Sequence, residues 1–138
     1  IEHGQKLYKL LREKFARPVY YVDGGTGTDT RDAYKDKMEK NDNVILIASF
    51  GTFSTGINIK QLNNIIFASP SKSRIRVIQS IGRGLRKSET KTEATLFDIA
   101  DNLTWKSKSN FTINHFAERL KMYNDEKFEY KMYKVKIK

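Results

Sequence analysis

Apolar residues follow two patterns along the chain, helical stripes and short unbroken runs. Leu7, Leu10 and Leu11 recur at helical spacing. They predict a helix over residues 4–14. Apolar runs of strand length occur at residues 19–22, 44–48 and 65–68, and residues 94–99 predict a final strand. Between these runs the sequence predicts a helix capped by Asp29 or Thr30 and ending near Lys40, and another from Ser71 or Ser73 to Leu85.

Strands that alternate with helices are typical of βαβ units. Residues 1–103 are therefore predicted to form an α/β domain, an open parallel sheet with helices on both faces. Such sheets bind ligands at the carboxyl ends of their strands. The predicted loops at that edge are residues 24–29, 49–58 and 70–73.

The pattern changes after Asn102. Residues 111–123 predict an amphipathic helix, with Phe116, Leu120 and Tyr123 on one side. Residues 130–138 mostly alternate large apolar side chains with lysine, which predicts an edge strand kept soluble by its charges. We therefore divide the chain into a domain over residues 1–103 and a basic helix–strand extension over residues 104–138.

The charge balance favours a polyanionic partner. The 138 residues include 26 Lys and Arg against 16 Asp and Glu, a net charge of +10. Half of the excess lies in the extension, whose lysines Lys131, Lys134, Lys136 and Lys138 predict a ridge facing phosphates. Another basic run, residues 72–87, contains no acidic residue, and its Lys72 and Arg74 are predicted nucleic-acid contacts.

Several classes of function are disfavoured. The chain has no cysteine, and His3 and His115 lie far apart without a carboxylate cluster, so we expect no metal site. No apolar run approaches the ~18 residues that a membrane span needs, so we expect no membrane partner. The chain begins with Ile1 and shows no signal peptide. We expect a piece of a longer cytoplasmic protein.

The most informative motif is Q-x-x-G-R-x-x-R over residues 79–86. On a helix, Arg83 and Arg86 lie one turn apart on the same face. Two permanently charged planar groups suit a transferring γ-phosphate, whose charge spreads over three oxygens. Gly82 leaves room for the close approach of a backbone or a phosphate. The structural alternative is a solvated helix face.

Residues 49–58 form a second motif, rich in hydroxyl groups and glycine after an apolar strand. Such a loop can hold the phosphates of a nucleotide or of a nucleic-acid backbone. The structural alternative is an ordinary crossover loop with capping residues.

The order of these motifs resembles the carboxy-terminal RecA-like lobe of superfamily-two helicases. Residues 49–58 resemble helicase motif V, and residues 79–86 resemble motif VI. The resemblance implies that Arg83 and Arg86 reach the γ-phosphate, and that Ser49 and Thr52 contact the nucleic-acid backbone. It also implies a group of residues beside ATP: Gly56, Asn58, Gln79 and Gly82. Ser80 replaces an arginine of some relatives, so no phosphate contact is assigned to it. The lobe's first strand is expected before residue 1.

The resemblance implies the second motor lobe of an ATP-dependent DNA helicase or translocase, acting on forked or branched DNA in recombination and repair. ATP and Mg²⁺ would be held mainly by an amino-terminal RecA-like lobe of the same protein. This chain has no Gly-Lys dipeptide, hence no Walker A loop, and Leu96-Phe97-Asp98 is followed by Ile99 where a Walker B strand has Glu. We interpret that run as the end of a core strand and expect the chain alone to be inactive.

Two other functions remain open at this point. The chain can be a basic nucleic-acid-binding or annealing module without enzymatic activity, or a scaffold that docks a protein. The aromatic residues of the extension leave a related choice between stacking on bases and packing on the domain. They are Trp105, Phe111, Tyr123, Phe128, Tyr130 and Tyr133.

Overall fold

We describe the chain from a computed structural model, which describes residues 2–56, 59, 62–69, 71, 73–84, 93–103, 106 and 108–137. Within that part of the chain, helices and strands alternate, with one helix, Phe50–Gly56, that was not predicted. The elements are α1 (Glu2–Lys14), β1 (Val19–Val22), α2 (Thr28–Lys40), β2 (Ile45–Ala48), α3 (Phe50–Gly56), β3 (Asn64–Phe67), α4 (Arg74–Gly84), β4 (Thr95–Asp98) and α5 (Phe111–Asp125).

The strands pair in parallel, which confirms the predicted α/β class. β1 pairs with β2, with Val22 opposite Ala48. β3 pairs with β4, with Phe67 opposite Asp98. We call the β1–β2 pair the first ladder and the β3–β4 pair the second ladder. The described residues show no strand pairing between them.

Helix α1 lies against the first ladder and reaches the second. A Cβ atom on Gly4 would lie 3.1 Å from the Tyr21 ring and 3.8 Å from the Ile47 side chain, so glycine permits this close packing. The ring N–H of His3 donates to the carbonyl oxygen of Ala68 over 3.0 Å. The start of α1 therefore lies at the carboxyl end of β3. The strand expected before residue 1 stays a prediction.

Each ladder has its own core. Helix α2 covers the first ladder, where Val22 and Met38 are buried with Ile59 and Leu62. The core of the second ladder joins Phe67 of β3 to residues of α4 and α5. Its buried side chains are Phe67, Val77, Ile81, Met122 and Tyr123. The predicted helix of the extension thus packs directly on β3 and α4, and the division at residue 103 stays a prediction.

A buried ion pair holds α5 to the end of β4. The Arg119 side chain is 1 % exposed and donates two hydrogen bonds of 2.7 Å to the two carboxylate oxygens of Asp98. Tyr123 also donates to Asp98, over 2.7 Å, and Arg119 donates to the backbone oxygen of Ser71 over 3.1 Å. One carboxylate therefore links β4 and α5, and Arg119 extends the link to the loop before α4. Sequence periodicity alone did not predict this link.

Two predicted boundaries were wrong. Residues 49–58 were expected to form a loop, but residues 50–56 form α3, because Ser49 caps the helix by accepting a hydrogen bond from the Thr52 amide over 3.3 Å. Helix α2 begins after Gly27 and has no side-chain cap there, so neither Asp29 nor Thr30 is the cap.

The edge strand expected over residues 130–138 was also wrong for its described part. Residues 130–137 form no strand, and Tyr133 and Ile137 are 81 % and 91 % exposed. Alternation of apolar and charged residues favours a strand only where a partner edge accepts its hydrogen bonds. The described residues supply no such partner for this segment.

We predict that Arg119→Met destabilises the chain by about 3–5 kcal/mol, since it leaves the Asp98 carboxylate buried without its counter-charge. Removing all three polar groups together, with Asp98→Leu, Arg119→Met and Tyr123→Phe, should cost less than the single change. Urea unfolding measures both. The matched control is Lys121→Met, which breaks an exposed pair with Glu118 and should cost at most about 0.5 kcal/mol. Equal costs for Arg119→Met and Lys121→Met would contradict the role of the buried pair.

The same network predicts a pH dependence. Burial raises the pKa of the Tyr123 phenol, and its hydrogen bond to Asp98 raises it further. The folded chain therefore keeps this proton when the unfolded chain begins to lose it near pH 10, so the contribution is complete below pH 10 and is lost above it. Between pH 8 and pH 11 the wild-type chain should lose about 1.4 kcal/mol more stability than Tyr123→Phe. Parallel stability curves for the two proteins would refute this.

Candidate nucleotide and nucleic-acid interface

The predicted ligand edge of the sheet is formed by the residues that follow the strands. Because Val22 lies opposite Ala48, the turn after β1 and Ser49 after β2 leave the first ladder at the same end. Because Phe67 lies opposite Asp98, the loop before α4 and Asp98 itself share the same end of the second ladder. These are the positions where open parallel sheets bind ligands.

Ser49 and Thr52 come together as a hydroxyl pair at the start of α3. The Ser49 hydroxyl donates to Thr52 Oγ1 over 2.8 Å and accepts from the Thr52 amide. Thr52 is 6 % exposed, whereas Ser49 is partly exposed. Ser49 is thus the more accessible of the two predicted backbone contacts. Asn58 lies outside the described residues, and Gly56 is described only as the last residue of α3.

Helix α4 separates a core face from an exposed face. Val77, Ser80 and Ile81 are buried, and the Ser80 hydroxyl has no hydrogen-bond partner among the described residues. Gln79 and Gly82, three residues apart, are both exposed. Nothing lies within 4 Å of a Cβ atom placed on Gly82. Gln79 and Gly82 therefore lie on an open surface, and the Ser80 side chain is buried on the core side of the helix.

The structure describes the backbone of one of the two motif arginines and neither of their side chains. Arg83 lies in the last turn of α4, but its side chain is outside the described part of the chain. Arg86 lies wholly outside the described residues, as does Lys72. Their roles stay predictions.

Arg74, a predicted nucleic-acid contact, is engaged within the chain. Its guanidinium donates to Asp125 over 2.8 Å and to Glu126 over 2.7 Å, joining the start of α4 to the end of α5. Both carboxylates raise the pKa of Arg74, and the hydrogen bond to Asp125 has the largest effect. Arg74 is exposed and so remains accessible to a ligand, but two acidic side chains already neutralise its charge.

The turn after β1 is built by one aspartate. Asp23 accepts hydrogen bonds from the Gly25 amide over 2.9 Å and from the Tyr21 hydroxyl over 3.2 Å. The Gly25 amide is the main reason that the pKa of Asp23 is lowered. No described glycine has a positive φ, so an Asx turn, and not left-handed glycine geometry, shapes this loop.

Asp98 is a structural residue. Its carboxylate is already bound by Arg119 and Tyr123 at the end of β4. Residues 96–98 end a strand, as predicted, but no residue of β4 is buried and Phe97 is 50 % exposed, so the predicted place of this strand in the core was wrong. The described residues contain no group of three His, Cys, Asp or Glu that could hold a metal ion. Their helices are also too short or too polar to span a membrane.

Residues 2–88 match the family described as "Helicase conserved C-terminal domain". The chain belongs to this family. The matched range contains both motifs on which the resemblance was based, and it extends from α1 to just beyond the Q-x-x-G-R-x-x-R sequence. The predicted resemblance to a carboxy-terminal helicase lobe is thereby confirmed.

Two curated relatives and one solved structure extend this result. The chain is 38 % identical to the "ATP-dependent DNA helicase uvsW" of Enterobacteria phage T4 over 147 aligned residues, which cover 99 % of this chain and 29 % of that protein. It is 31 % identical to the IRC3 protein of Saccharomyces cerevisiae over 97 residues, 70 % of this chain and 14 % of the relative. The chain thus spans less than a third of either relative.

The solved structure is the C-terminal part of the Fun30 ATPase domain. It matches with a TM-score of 0.61 at 15 % identity, covering 91 % of this chain and 46 % of that one. At this identity the match concerns the fold alone. It confirms the predicted RecA-like class, and its coverage includes part of the segment beyond residue 88.

The residues that fix the helices at this edge were not predicted from the sequence. Arg119 lies on the apolar side of α5, between Phe116 and Tyr123 in the helical stripe. A lone arginine among apolar positions indicates a buried partner, because charged residues are almost never fully buried unless paired. The position of Arg119 therefore indicated a buried partner, but it did not identify that partner as Asp98, 21 residues earlier.

We predict that Gly82→Ala stabilises the isolated chain by about 0.5–1 kcal/mol, because alanine restricts the unfolded chain and the site has room for its Cβ. Denaturant unfolding measures the change. Gly4→Ala is the matched comparison, since the same substitution in α1 meets the Tyr21 ring at 3.1 Å and should gain less or destabilise. A destabilising Gly82→Ala would mean that glycine is needed at this position by the fold itself.

Proposed function

We propose that the chain is the second motor lobe of an ATP-dependent DNA helicase or translocase. The observation that carries this proposal is the orientation of α4. Its apolar side is fixed in the core by Val77 and Ile81, while Gln79 and Gly82 of the family motif remain exposed. A helix held in this way can present the motif to a neighbouring lobe without reorganising. Similarity to a protein named as an ATP-dependent DNA helicase supports the assignment.

At the nucleotide, Arg83 and Arg86 act as arginine fingers. Their guanidinium groups complete a site whose other side belongs to the preceding RecA-like lobe, and they stabilise charge on the transferring phosphoryl group. Gln79 and Gly82 lie on the same exposed face of α4. Gly56 and Asn58, which belong to the second sequence motif, are the other proposed nucleotide contacts. The preceding lobe holds ATP and Mg²⁺ for the most part.

At the nucleic acid, Ser49 and Thr52 contact the strand backbone. The α3 cap places Ser49 at the carboxyl edge of β2, where its partly exposed hydroxyl can meet a phosphate oxygen. In the unbound chain the single proton of that hydroxyl is donated to Thr52 Oγ1 over 2.8 Å. Binding to a phosphate oxygen therefore requires this proton to turn to the ligand, and Thr52 can then donate its own hydroxyl proton to Ser49. Lys72 is a further proposed nucleic-acid contact. Arg74 is exposed at the start of α4, where Asp125 and Glu126 offset its charge.

Movement follows from the use of two lobes. Closure of the lobes on ATP brings the α4 motif to the γ-phosphate, and opening after hydrolysis shifts the backbone contact along the strand. The substrate we propose is forked or branched DNA in recombination and repair, in the cytoplasm. Similarity to a protein named as an ATP-dependent DNA helicase supports DNA as the substrate. The forked or branched form of that DNA rests on the motif resemblance.

The net charge of +10 favours a second candidate function, nucleic-acid binding or annealing without enzymatic activity. A basic annealing or binding module would explain that charge without ATP hydrolysis. It would make no use of the exposed motif on α4.

We predict that Arg86→Ala, in the full-length protein that contains this chain, lowers DNA-stimulated ATP hydrolysis by about 10³-fold or more, since an arginine finger acts mainly on the transition state. ATP and DNA binding should stay within a few-fold. Steady-state turnover and equilibrium binding measure the two effects. Arg12→Ala, an exposed arginine on α1, is the matched control and should leave turnover unchanged. Normal turnover in Arg86→Ala would favour the binding module.

A further inference from the structure

Residues 131–137, called the basic tail below, leave the domain from a fixed point. Just before the tail, Phe128 packs on the second core, and its amide donates to the Tyr123 carbonyl oxygen over 2.9 Å. The Tyr130 hydroxyl donates to Asn124 Oδ1 over 3.1 Å, and its ring lies 6.2 Å from the Tyr123 ring. The tail therefore begins at a defined position at the end of α5.

That position lies at the proposed ligand edge of the sheet. Asp125 and Glu126, at the end of α5, bind Arg74 at the start of α4. The start of α4 follows the carboxyl end of β3 after a short loop. The Arg74 ion pairs therefore place the beginning of the tail beside the edge where nucleic-acid contacts are proposed.

The tail is exposed, and all of its charged residues are lysines. Lys131, Lys134 and Lys136 have no acidic neighbour within residues 130–138. Tyr133 is 81 % exposed and Ile137 is 91 % exposed. Among the described residues, no hydrogen bond or ion pair holds a side chain of the tail. Three unpaired lysines beside an exposed aromatic ring complement a ligand that has both negative charge and flat apolar faces.

Single-stranded nucleic acid has both properties, because its phosphates are charged and its unpaired bases expose their faces. We propose that the basic tail binds single-stranded nucleic acid, with lysines on the phosphates and Tyr133 stacked on a base, and that Arg74 is a positioning residue for the tail. This inference rests on the proposed function and extends it. In this proposal Arg74 does not contact the nucleic acid directly. Its ion pairs with Asp125 and Glu126 hold the end of α5, from which the tail begins.

The test measures binding of a fluorescent single-stranded oligothymidine to the full 138-residue chain over a range of salt concentrations. The triple variant Lys131→Gln, Lys134→Gln, Lys136→Gln should reduce the log–log salt slope by about 2, at roughly 0.7 per phosphate contact in a single strand. The matched control removes three exposed charges elsewhere, with Lys9→Gln, Lys14→Gln and Lys40→Gln. Its slope should change by less than about 0.7.

Two further variants test the stacking and positioning roles. Tyr133→Ala should weaken binding by about 5-fold or more, whereas Tyr133→Phe keeps the ring and should bind normally. Arg74→Gln should weaken binding in the wild-type chain but add no loss in the triple tail variant. An additional loss there would make Arg74 a direct phosphate contact and overturn its positioning role.

Other outcomes would overturn the tail proposal itself. Equal losses in the tail and control triple variants would show that only net charge matters. Tighter binding of a duplex of the same length would exclude a single-strand site. Unchanged binding in the tail variant, with self-association lost on Tyr133→Ser, Val135→Ser and Ile137→Ser, would make the tail a protein-docking segment. The ATPase test of Arg86 is independent, so the motor assignment can fail or stand separately.

Discussion

The ion pair between Arg119 and Asp98 is the constraint on which the second half of the structure depends. Burying one carboxylate requires a buried counter-charge, and the two 2.7 Å hydrogen bonds supply it. Because Arg119 also binds the Ser71 carbonyl oxygen, the pair fixes the end of β4, the loop before α4 and the middle of α5 together. The surrounding apolar side chains of β3, α4 and α5 close over this arrangement.

This constraint connects packing to function. A motor lobe must bring a charged motif to a nucleotide on a neighbouring lobe, and the geometry tolerates little error at the reacting phosphate. Val77 and Ile81 hold the inner side of α4, and α5 packs against both that helix and β3. The exposed side of α4, with Gln79 and Gly82, therefore gains a fixed orientation in part from β3 and α5, which carry no helicase motif. The extension is in this sense part of the lobe's support.

Much of the fold could be predicted because it rests on local patterns. The strand at residues 19–22 and the helix stripe of α4 depend on apolar periodicity, which the sequence displays directly. Helix α3 was missed because Ser49 changes a hydroxyl-rich loop into a capped helix. The strand predicted for residues 130–138 was wrong in its described part for a different reason, because a strand forms only where a partner edge accepts its hydrogen bonds. The Arg119 pair joins distant positions, which no local pattern reveals. The motifs that indicate the family are visible in the sequence, and the roles of their residues stay predictions. The ion pairs of Arg74 with Asp125 and Glu126 were not predicted.

The central claim is that this lobe completes an ATP site across a cleft. The most direct measurement is an experimental structure of the full-length protein bound to ADP and aluminium fluoride, which mimics the transferring phosphoryl group. We expect the guanidinium nitrogens of Arg83 and Arg86 to lie within hydrogen-bond distance of the fluoride group, at about 2.7–2.9 Å. If those two side chains face solvent while groups of the other lobe alone surround the fluoride, the claim is contradicted.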